Sequence, residues 1–135
     1  MANCRLSDPA AGRADDRMTA YFEGRYTPGE ALPPRVGYVA FDGDRMIGYV
    51  AGHHTVRQGA QGEIEYLFVA PSHRRMGVAT ELLRLTARWF VATGATDVIV
   101  NADADTPGAV EVYLACGAKR VHKYWLRWSD ITTFA

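Results

Sequence analysis

The chain has 135 residues, of which 48% are hydrophobic, and its fifteen basic side chains are balanced by fifteen acidic ones. This length and composition predict one globular domain over residues 1–135, and balanced charge excludes a general attraction to nucleic acid or anionic membranes. The sequence contains no apolar run of bilayer length, no signal-peptide pattern and two cysteines without metal spacing, so we expect a cytoplasmic protein.

The first third of the chain predicts short elements that lead into a hairpin. Asn3 to Leu6 suits a strand, and the alanine-rich segment 10–22 suits a helix. Pro28-Gly29 and Pro33-Pro34 predict a loop over residues 24–34. Next come two strands and the turn that joins them: Val36–Phe41, Asp42-Gly43-Asp44 and Arg45–His54.

The middle of the chain predicts a strand, a basic turn and a helix. Residues 55–62 read as a second hairpin connection, which leads into the strand Glu63–Val69. A break at Ala70-Pro71-Ser72 precedes the turn 73–79, and the helix after it carries an apolar stripe of Val78, Leu82, Leu85 and Trp89. The first N–H groups of a helix lack backbone partners, and arginines suit phosphate oxygens, so this turn predicts an anion site.

The last third of the chain predicts a strand, a helix and a further strand region. Gly94 ends the long helix, and Asp97–Val100 is a short buried strand. Pro107 fits the first position of a helix that runs to Cys116 and stops at Gly117. Residues 118–128 alternate as one strand or a bent pair. The whole order predicts an α/β (α+β) fold, with a mixed, mostly antiparallel sheet and helices on both faces.

Two motifs resemble those of the GCN5-related N-acetyltransferase (GNAT) superfamily. Arg74 to Ala79 (RRMGVA) matches its R/Q-x-x-G-x-G/A signature, with a strand before it and an amphipathic helix after it. Ala109 to Ala118 (AVEVYLACGA) is similar to its A-x-x-x-Y-x-x-x-G-F segment. The resemblance covers residues 36–128, and it is loose at the amino terminus.

The resemblance implies acetyl-CoA, or another acyl-CoA, as donor. No metal is expected, because the histidines and cysteines lack a metal-site spacing. The pyrophosphate would bind at the turn and the start of the helix, that is at Arg74, Arg75, Met76, Gly77, Val78, Ala79 and Thr80. The pantetheine arm would pair like an extra strand with Leu67, Phe68 and Val69, and the N–H of Phe68 would face the thioester oxygen.

The resemblance also implies two catalytic residues. Glu63 stands where several family members carry a general base that acts through water, and Glu65 shares its strand face. The alternative is that one or both glutamates are solvated strand residues. Tyr113 matches the tyrosine that protonates the leaving CoA sulfur; a core tyrosine is the competing interpretation, and both roles are compatible. Two positions depart from the family pattern, Thr106 in place of asparagine and Ala118 in place of phenylalanine.

The remaining polar and aromatic residues have simpler interpretations. His53, His54, His73 and His122 lack a metal-site spacing and are expected to be solvated, although His54 also suits the acceptor cleft. The aromatic residues near the end of the chain predict core or dimer surface. The family resemblance allows a homodimer, which no feature of the sequence fixes.

The function implied is direct acetyl transfer to a primary amine, either a small molecule or a protein amino group. The alternative is a non-catalytic acyl-CoA-binding or regulatory domain. A nucleotide-binding enzyme has little support, because no phosphate-loop or dinucleotide glycine motif occurs.

Overall fold

A computed structural model describes residues 3–6, 31–102 and 108–135. They form a seven-stranded sheet in the order β1-β2-β3-β4-β5-β7-β6. The strands are β1 (Asn3–Leu6), β2 (Ala31–Asp42), β3 (Arg45–Thr55), β4 (Gly62–Val69), β5 (Val98–Asn101), β6 (Lys119–Arg120) and β7 (Trp125–Trp128). Neighbouring strands are antiparallel except β4 and β5, which are parallel. The predicted mixed, mostly antiparallel sheet is therefore confirmed.

Strand β2 begins earlier than the sequence predicts. Residues 31–34 were expected to be loop, but Ala31 and Leu32 already pair with Thr55 and His54. Pro33 and Pro34 fall within a shift of register between Leu32 and Arg35, where two residues without an N–H can be left out of the ladder. The loop and helix predicted over residues 10–30 lie outside the described part of the chain.

Two helices are described, α1 (Val78–Ala92) and α2 (Ala109–Ala115). The buried face of α1 is slightly rotated from the predicted stripe, because Leu85 and Trp89 are only half-buried. Thr86 is buried instead, and its hydroxyl donates to the Leu82 carbonyl at 2.8 Å. Gly94, at φ 90°, follows the end of α1 as predicted. Neither helix has the length and apolar character needed to span a bilayer.

Helix α1 approaches the sheet closely because glycines lie beneath it. A Cβ added to Gly62 would stand 2.5 Å from the Phe90 ring, and one added to Gly48 would meet Leu82 and Val78 at 3.4 Å. These contacts place α1 on the sheet face that carries Gly48 and Gly62. His53 on β3 and Glu63 on β4 lie on the opposite face, because successive side chains of a strand alternate between the two faces of the sheet.

Helix α2 packs into the same core as α1. Its buried residues Ala109 and Tyr113 belong to one cluster with Leu82, Leu126 and Trp128. The Trp128 indole donates to the Cys116 carbonyl at 3.0 Å, which fastens the end of α2 to β7. The helix begins at Ala109, with Gly108 as N-cap, and Pro107, its predicted first position, lies outside the described residues. The predicted strand region 118–128 is a bent pair, β6 and β7.

Strand β4 contains one residue more than its partner β3. Gly52 pairs with Ile64, whereas Ala51 pairs with Tyr66, so Glu65 is the extra residue of a β-bulge. Beyond the bulge, Leu67 pairs with Val50 and joins the core under α1. The bulge thus turns the apolar end of β4 toward α1 while Glu63 remains on the other face.

Strands β4 and β5 separate halfway along β4. Their parallel ladder joins Gly62–Ile64 to Val98–Val100 and ends there. The segment Leu67–Val69 lies beyond the end of this ladder. The sheet therefore opens beside the segment that was predicted to receive a pantetheine arm.

Candidate active site

The turn between β4 and α1 has the backbone shape of an anion site. Arg75 and Gly77 both have positive φ angles, 64° and 82°. Gly77 is the N-cap of α1 and supplies no side-chain cap. The N–H groups of Val78, Ala79 and Thr80 have no carbonyl one turn earlier in the helix, so they can bind an external anion.

A groove of about 800 Å³ joins the two motifs that the sequence places thirty residues apart. One wall is the turn and the start of α1, and the other is the first turns of α2, including Ala109 and Val112. Predicted cofactor residues that line it are Leu67, Val69, Arg74, Arg75, Gly77, Val78, Ala79 and Thr80. Phe68 and Met76 are not part of this lining; the Phe68 ring stacks on Tyr49 at 5.4 Å.

The basic residues of the turn have different environments. Arg74 is half-buried and its Nε donates to the Val69 carbonyl at 3.0 Å, so it braces the turn. Arg75 is exposed at the groove. His73 also lines the groove, and its Nε2 lies 2.8 Å from Asp42 Oδ2. This hydrogen bond from His73 lowers the pKa of Asp42, and it links the β2–β3 turn to the groove.

Glu63 lies on the other face of the sheet and is almost completely buried, with 3% of its surface exposed. His53 Nε2 lies 3.1 Å from its Oε1. Arg57 Nε lies 3.3 Å from Oε1 and 3.2 Å from Oε2. The interpretation of Glu63 as a solvated strand residue is therefore wrong.

The expectation that His53 is solvated is also wrong, because this side chain is fully buried. The expectation failed because the partner of His53 is set by strand register, which places it opposite Glu63 ten residues away. In the sequence, the only signal for a contact between His53 and Glu63 is strand alternation, which puts the two side chains on the same face of neighbouring strands.

The ligand atoms of His53, Glu63 and Glu65 lie within 4.8 Å of one another, which is a spacing that a metal ion can bridge. Glu63 already receives a guanidinium from Arg57. A metal ion beside the Glu63 carboxylate would have to compete with the positive charge of Arg57. The group of His53, Glu63 and Glu65 is therefore better explained by the ion pair between Glu63 and Arg57 than by a metal site.

His54 lies away from Glu63, on the face covered by α1. Its Nε2 is 2.9 Å from the Thr93 hydroxyl oxygen, and its ring meets Trp89 edge-on at 5.7 Å. Burial lowers the pKa of His54 below its ordinary value of 6.5, and the charge of His53 lowers it further. The structure thus separates His54 from the face on which Glu63 lies.

Tyr113 is a core residue in the described structure. Its ring is fully buried and meets Trp128 edge-on at 5.9 Å. The groove is lined by its neighbours Ala109 and Val112 on the same helix. The core interpretation of its ring is confirmed, and its role as proton donor stays a prediction.

Comparison with protein families gives a match to the acetyltransferase (GNAT) family over residues 5–118. Two curated relatives are N-alpha-acetyltransferases. The chain is 29% identical over 102 residues to N-alpha-acetyltransferase 30 of Schizosaccharomyces pombe, covering 72% of this chain and 68% of that protein. It is 30% identical over 105 residues to N-alpha-acetyltransferase MAK3 of Arabidopsis thaliana, covering 73% of this chain and just 54% of that protein.

Solved structures share the fold at low sequence identity. One is NAA60 of Arabidopsis thaliana in complex with a bisubstrate analogue, with a TM-score of 0.66, 15% identity, and coverage of 95% of this chain and 98% of that one. Another is the PaiA N-acetyltransferase of Thermoplasma acidophilum in complex with coenzyme A, with a TM-score of 0.61, 11% identity, and coverage of 85% and 67%.

Proposed function

Because the chain belongs to the acetyltransferase (GNAT) family, we propose that it transfers an acetyl group from acetyl-CoA to the α-amino group of a peptide or protein. The predicted family, fold class and enzyme class, an N-acetyltransferase, are confirmed. The relatives support this acceptor, since two of them are named for N-alpha-acetylation.

One observation carries the proposal: a single groove collects residues of both motifs and ends beside the opening between β4 and β5. In the proposed complex, the pyrophosphate binds the N–H groups at the start of α1, with Arg75 as the exposed cation. The pantetheine arm runs along Leu67–Val69, past the end of the β4–β5 ladder. The N–H of Phe68 is the proposed donor to the thioester oxygen.

The proposed reaction is a direct transfer. The neutral amine nitrogen forms a bond to the thioester carbon, and its proton passes through a water molecule to Glu63. Collapse of the tetrahedral intermediate breaks the carbon–sulfur bond, and the thiolate takes a proton from Tyr113. Solvent then returns a proton to Tyr113 and removes one from Glu63, so that the products are the N-acetyl amide and CoA.

The test uses the intact protein, acetyl-CoA and matched acceptors. Peptides with a free α-amine are compared with the same peptides blocked at the amino terminus but carrying a lysine. Released CoA is measured with a thiol reagent, and the acetylated atom is located by mass spectrometry. We expect transfer to the α-amine; transfer to lysine alone would overturn the proposed acceptor, and binding of acetyl-CoA without transfer would favour the non-catalytic alternative.

Substitution Glu63→Gln tests the base. The amide is close in size to the carboxylate but cannot take the proton, so we expect kcat to fall by about 100-fold or more, as for loss of a general base. Acetyl-CoA affinity should remain, because the groove lies on the other face of the sheet. Calorimetry with acetyl-CoA is the control, and wild-type turnover in this variant would contradict the role of Glu63.

A further inference from the structure

The carboxylate of Glu63 is held by two donors from different elements, His53 on β3 and Arg57 in the loop after it. We propose that His53 and Arg57 are positioning residues for acetyl transfer, which orient this carboxylate toward the acceptor amine. This inference rests on the proposed function, since it concerns the residues that support the proposed base.

His53 is placed beside Glu63 by strand register. It pairs with Glu63 across β3 and β4, and its Nε2 lies 3.1 Å from Oε1. An ionised carboxylate can only accept, so the imidazole donates through Nε2–H. Because the side chain is fully buried, it has no surface on which to touch a substrate. Its position therefore suits orientation of Glu63 and not direct catalysis.

Arg57 approaches the carboxylate from the loop between β3 and β4. Its Nε lies between the two oxygens, at 3.3 Å from Oε1 and 3.2 Å from Oε2. The guanidinium carbon of Arg57 lies 5.8 Å from the centre of the Trp125 ring. The backbone N–H of Arg57 donates to the Thr55 hydroxyl. The stacking and the backbone bond limit the conformations open to this long side chain, which reduces the entropy lost in holding Glu63.

Arg127 holds the same loop to the sheet. It binds Asp97 through two bonds of 2.7 and 2.6 Å and donates to the Gln58 carbonyl at 3.1 Å. The Gln61 side chain accepts from the Thr96 and Asp97 N–H groups. Arg57 thus projects from a loop that is fixed on both sides, as a positioning residue requires.

The two donors do not use all the lone pairs of the carboxylate. His53 approaches Oε1, and Arg57 lies between Oε1 and Oε2. A carboxylate has about four lone-pair directions, so capacity remains for the water that would relay the proton. Rotation of the Glu63 side chain would break both contacts in a buried site. A base misplaced by about 1 Å can cost on the order of 100-fold in rate, so loss of His53 should lower turnover although the base itself remains.

The experiment compares His53→Ala, His53→Gln and His53→Asn with the adjacent substitution His54→Gln as control. The amide nitrogen of a glutamine at this position would lie near the place of the His53 Nε2 atom. The asparagine side chain is shorter, so its amide nitrogen does not reach Oε1 of Glu63. We expect His53→Ala and His53→Asn to lose about tenfold or more in kcat, within the range of general-base effects, with KM for both substrates nearly unchanged. His53→Gln should recover most of the turnover, and His54→Gln should retain it.

The outcomes separate the inference from the function on which it rests. Wild-type kcat in both His53→Ala and His53→Asn, with an inactive Glu63→Gln, would overturn the positioning role and leave the proposed base intact. A lower melting temperature of the His53 variants with wild-type kcat would likewise overturn the positioning role. If His53→Ala does not fold, equal kcat in the glutamine and asparagine variants would overturn the inference. Wild-type turnover in Glu63→Gln would overturn both.

Discussion

Tyr113 and Glu63, the two residues assigned proton roles, differ in how the structure holds them. The Glu63 carboxylate meets two cationic or polar donors, whereas the Tyr113 ring lies among apolar groups next to Trp128. A phenol has an ordinary pKa near 10, close to that of a thiol, so proton transfer to a departing thiolate is chemically matched. In the proposed mechanism, this one residue serves both the core and the reaction.

Substitution Tyr113→Phe separates these two functions, since the ring stays and the hydroxyl goes. We expect kcat to fall by about tenfold or more, as for loss of a general acid, with a much smaller change in KM for acetyl-CoA. Steady-state kinetics of the variant and of the wild-type protein provide the measurement. Tyr124→Phe, at an exposed position, is the matched control, and a Tyr113→Phe variant with wild-type kcat would remove the tyrosine from the mechanism.

Cys116, which follows the end of α2, is a buried thiol. Burial raises the pKa of its thiol, against weaker opposing effects from Thr80 and Arg84. The reactive form of cysteine is the thiolate. A raised pKa therefore disfavours Cys116 as the nucleophile of a covalent acetyl-cysteine intermediate.

The turn before α1 requires glycine at position 77 for two reasons. Gly77 has φ 82°, which L-residues with a side chain adopt with difficulty, and a Cβ on it would point into open space at the groove. A side chain there would stand where we place the pyrophosphate. Backbone strain and obstruction of the ligand can be distinguished, because Gly94 has a similar φ of 90° and open surroundings away from the groove.

We therefore compare Gly77→Ala with Gly94→Ala. Both should lose stability by about 1 kcal/mol from the left-handed backbone, which thermal unfolding measures. Only Gly77→Ala should weaken acetyl-CoA binding, by about tenfold or more, equivalent to about 1.4 kcal/mol. Calorimetry decides the point, and equal affinities in the two variants would contradict the proposed cradle.

Local pattern was enough to predict most of the strands, α1 and the turn before α1. Gly77 and its neighbouring arginines lie in one continuous segment, where the period of apolar residues and the glycine act over a few positions. The surroundings of Glu63 depend on register between β3 and β4 and on a loop whose Gln58 has a positive φ of 54°. Such information is non-local, so His53 and Arg57 were not recognised as its partners.

Strand β4 shows the same limit within one element. Strict alternation would put Leu67 and Val69 on the face of Glu63, which conflicts with their apolar character. The bulge at Glu65 resolves the conflict, and the mismatch was visible in the sequence as two glutamates followed by an apolar run. Reading that mismatch as a bulge would have placed the donor segment and the base on opposite faces.

Across the molecule, the sheet separates the donor groove from Glu63. The groove lies on the face covered by α1 and α2, while Glu63 lies on the other face. In the proposed complex, the opening between β4 and β5 beyond Ile64 would connect the two. Donor and acceptor would then occupy the protein together and meet at this opening. In the proposed complex, neither substrate would need to leave before the other binds.

Initial rates should therefore follow a sequential pattern. Varying acetyl-CoA at several fixed peptide concentrations should give double-reciprocal lines that intersect, because transfer requires a ternary complex. Parallel lines, the signature of a covalent acetyl-enzyme, would contradict direct transfer. A Glu63→Gln variant that still binds both substrates, measured by calorimetry, provides the independent control.

The bulge at Glu65 gives β4 one residue more than its register with β3 requires. Gly52 pairs with Ile64 and Ala51 with Tyr66, so a strand without Glu65 would keep these pairs, and Leu67 and Val69 would still face α1. Loss of a second residue from the strand would exchange the faces of the positions that follow it. In the history of such a chain, the codon for Glu65 is one that the strand can gain or lose without changing which side chains build the core under α1.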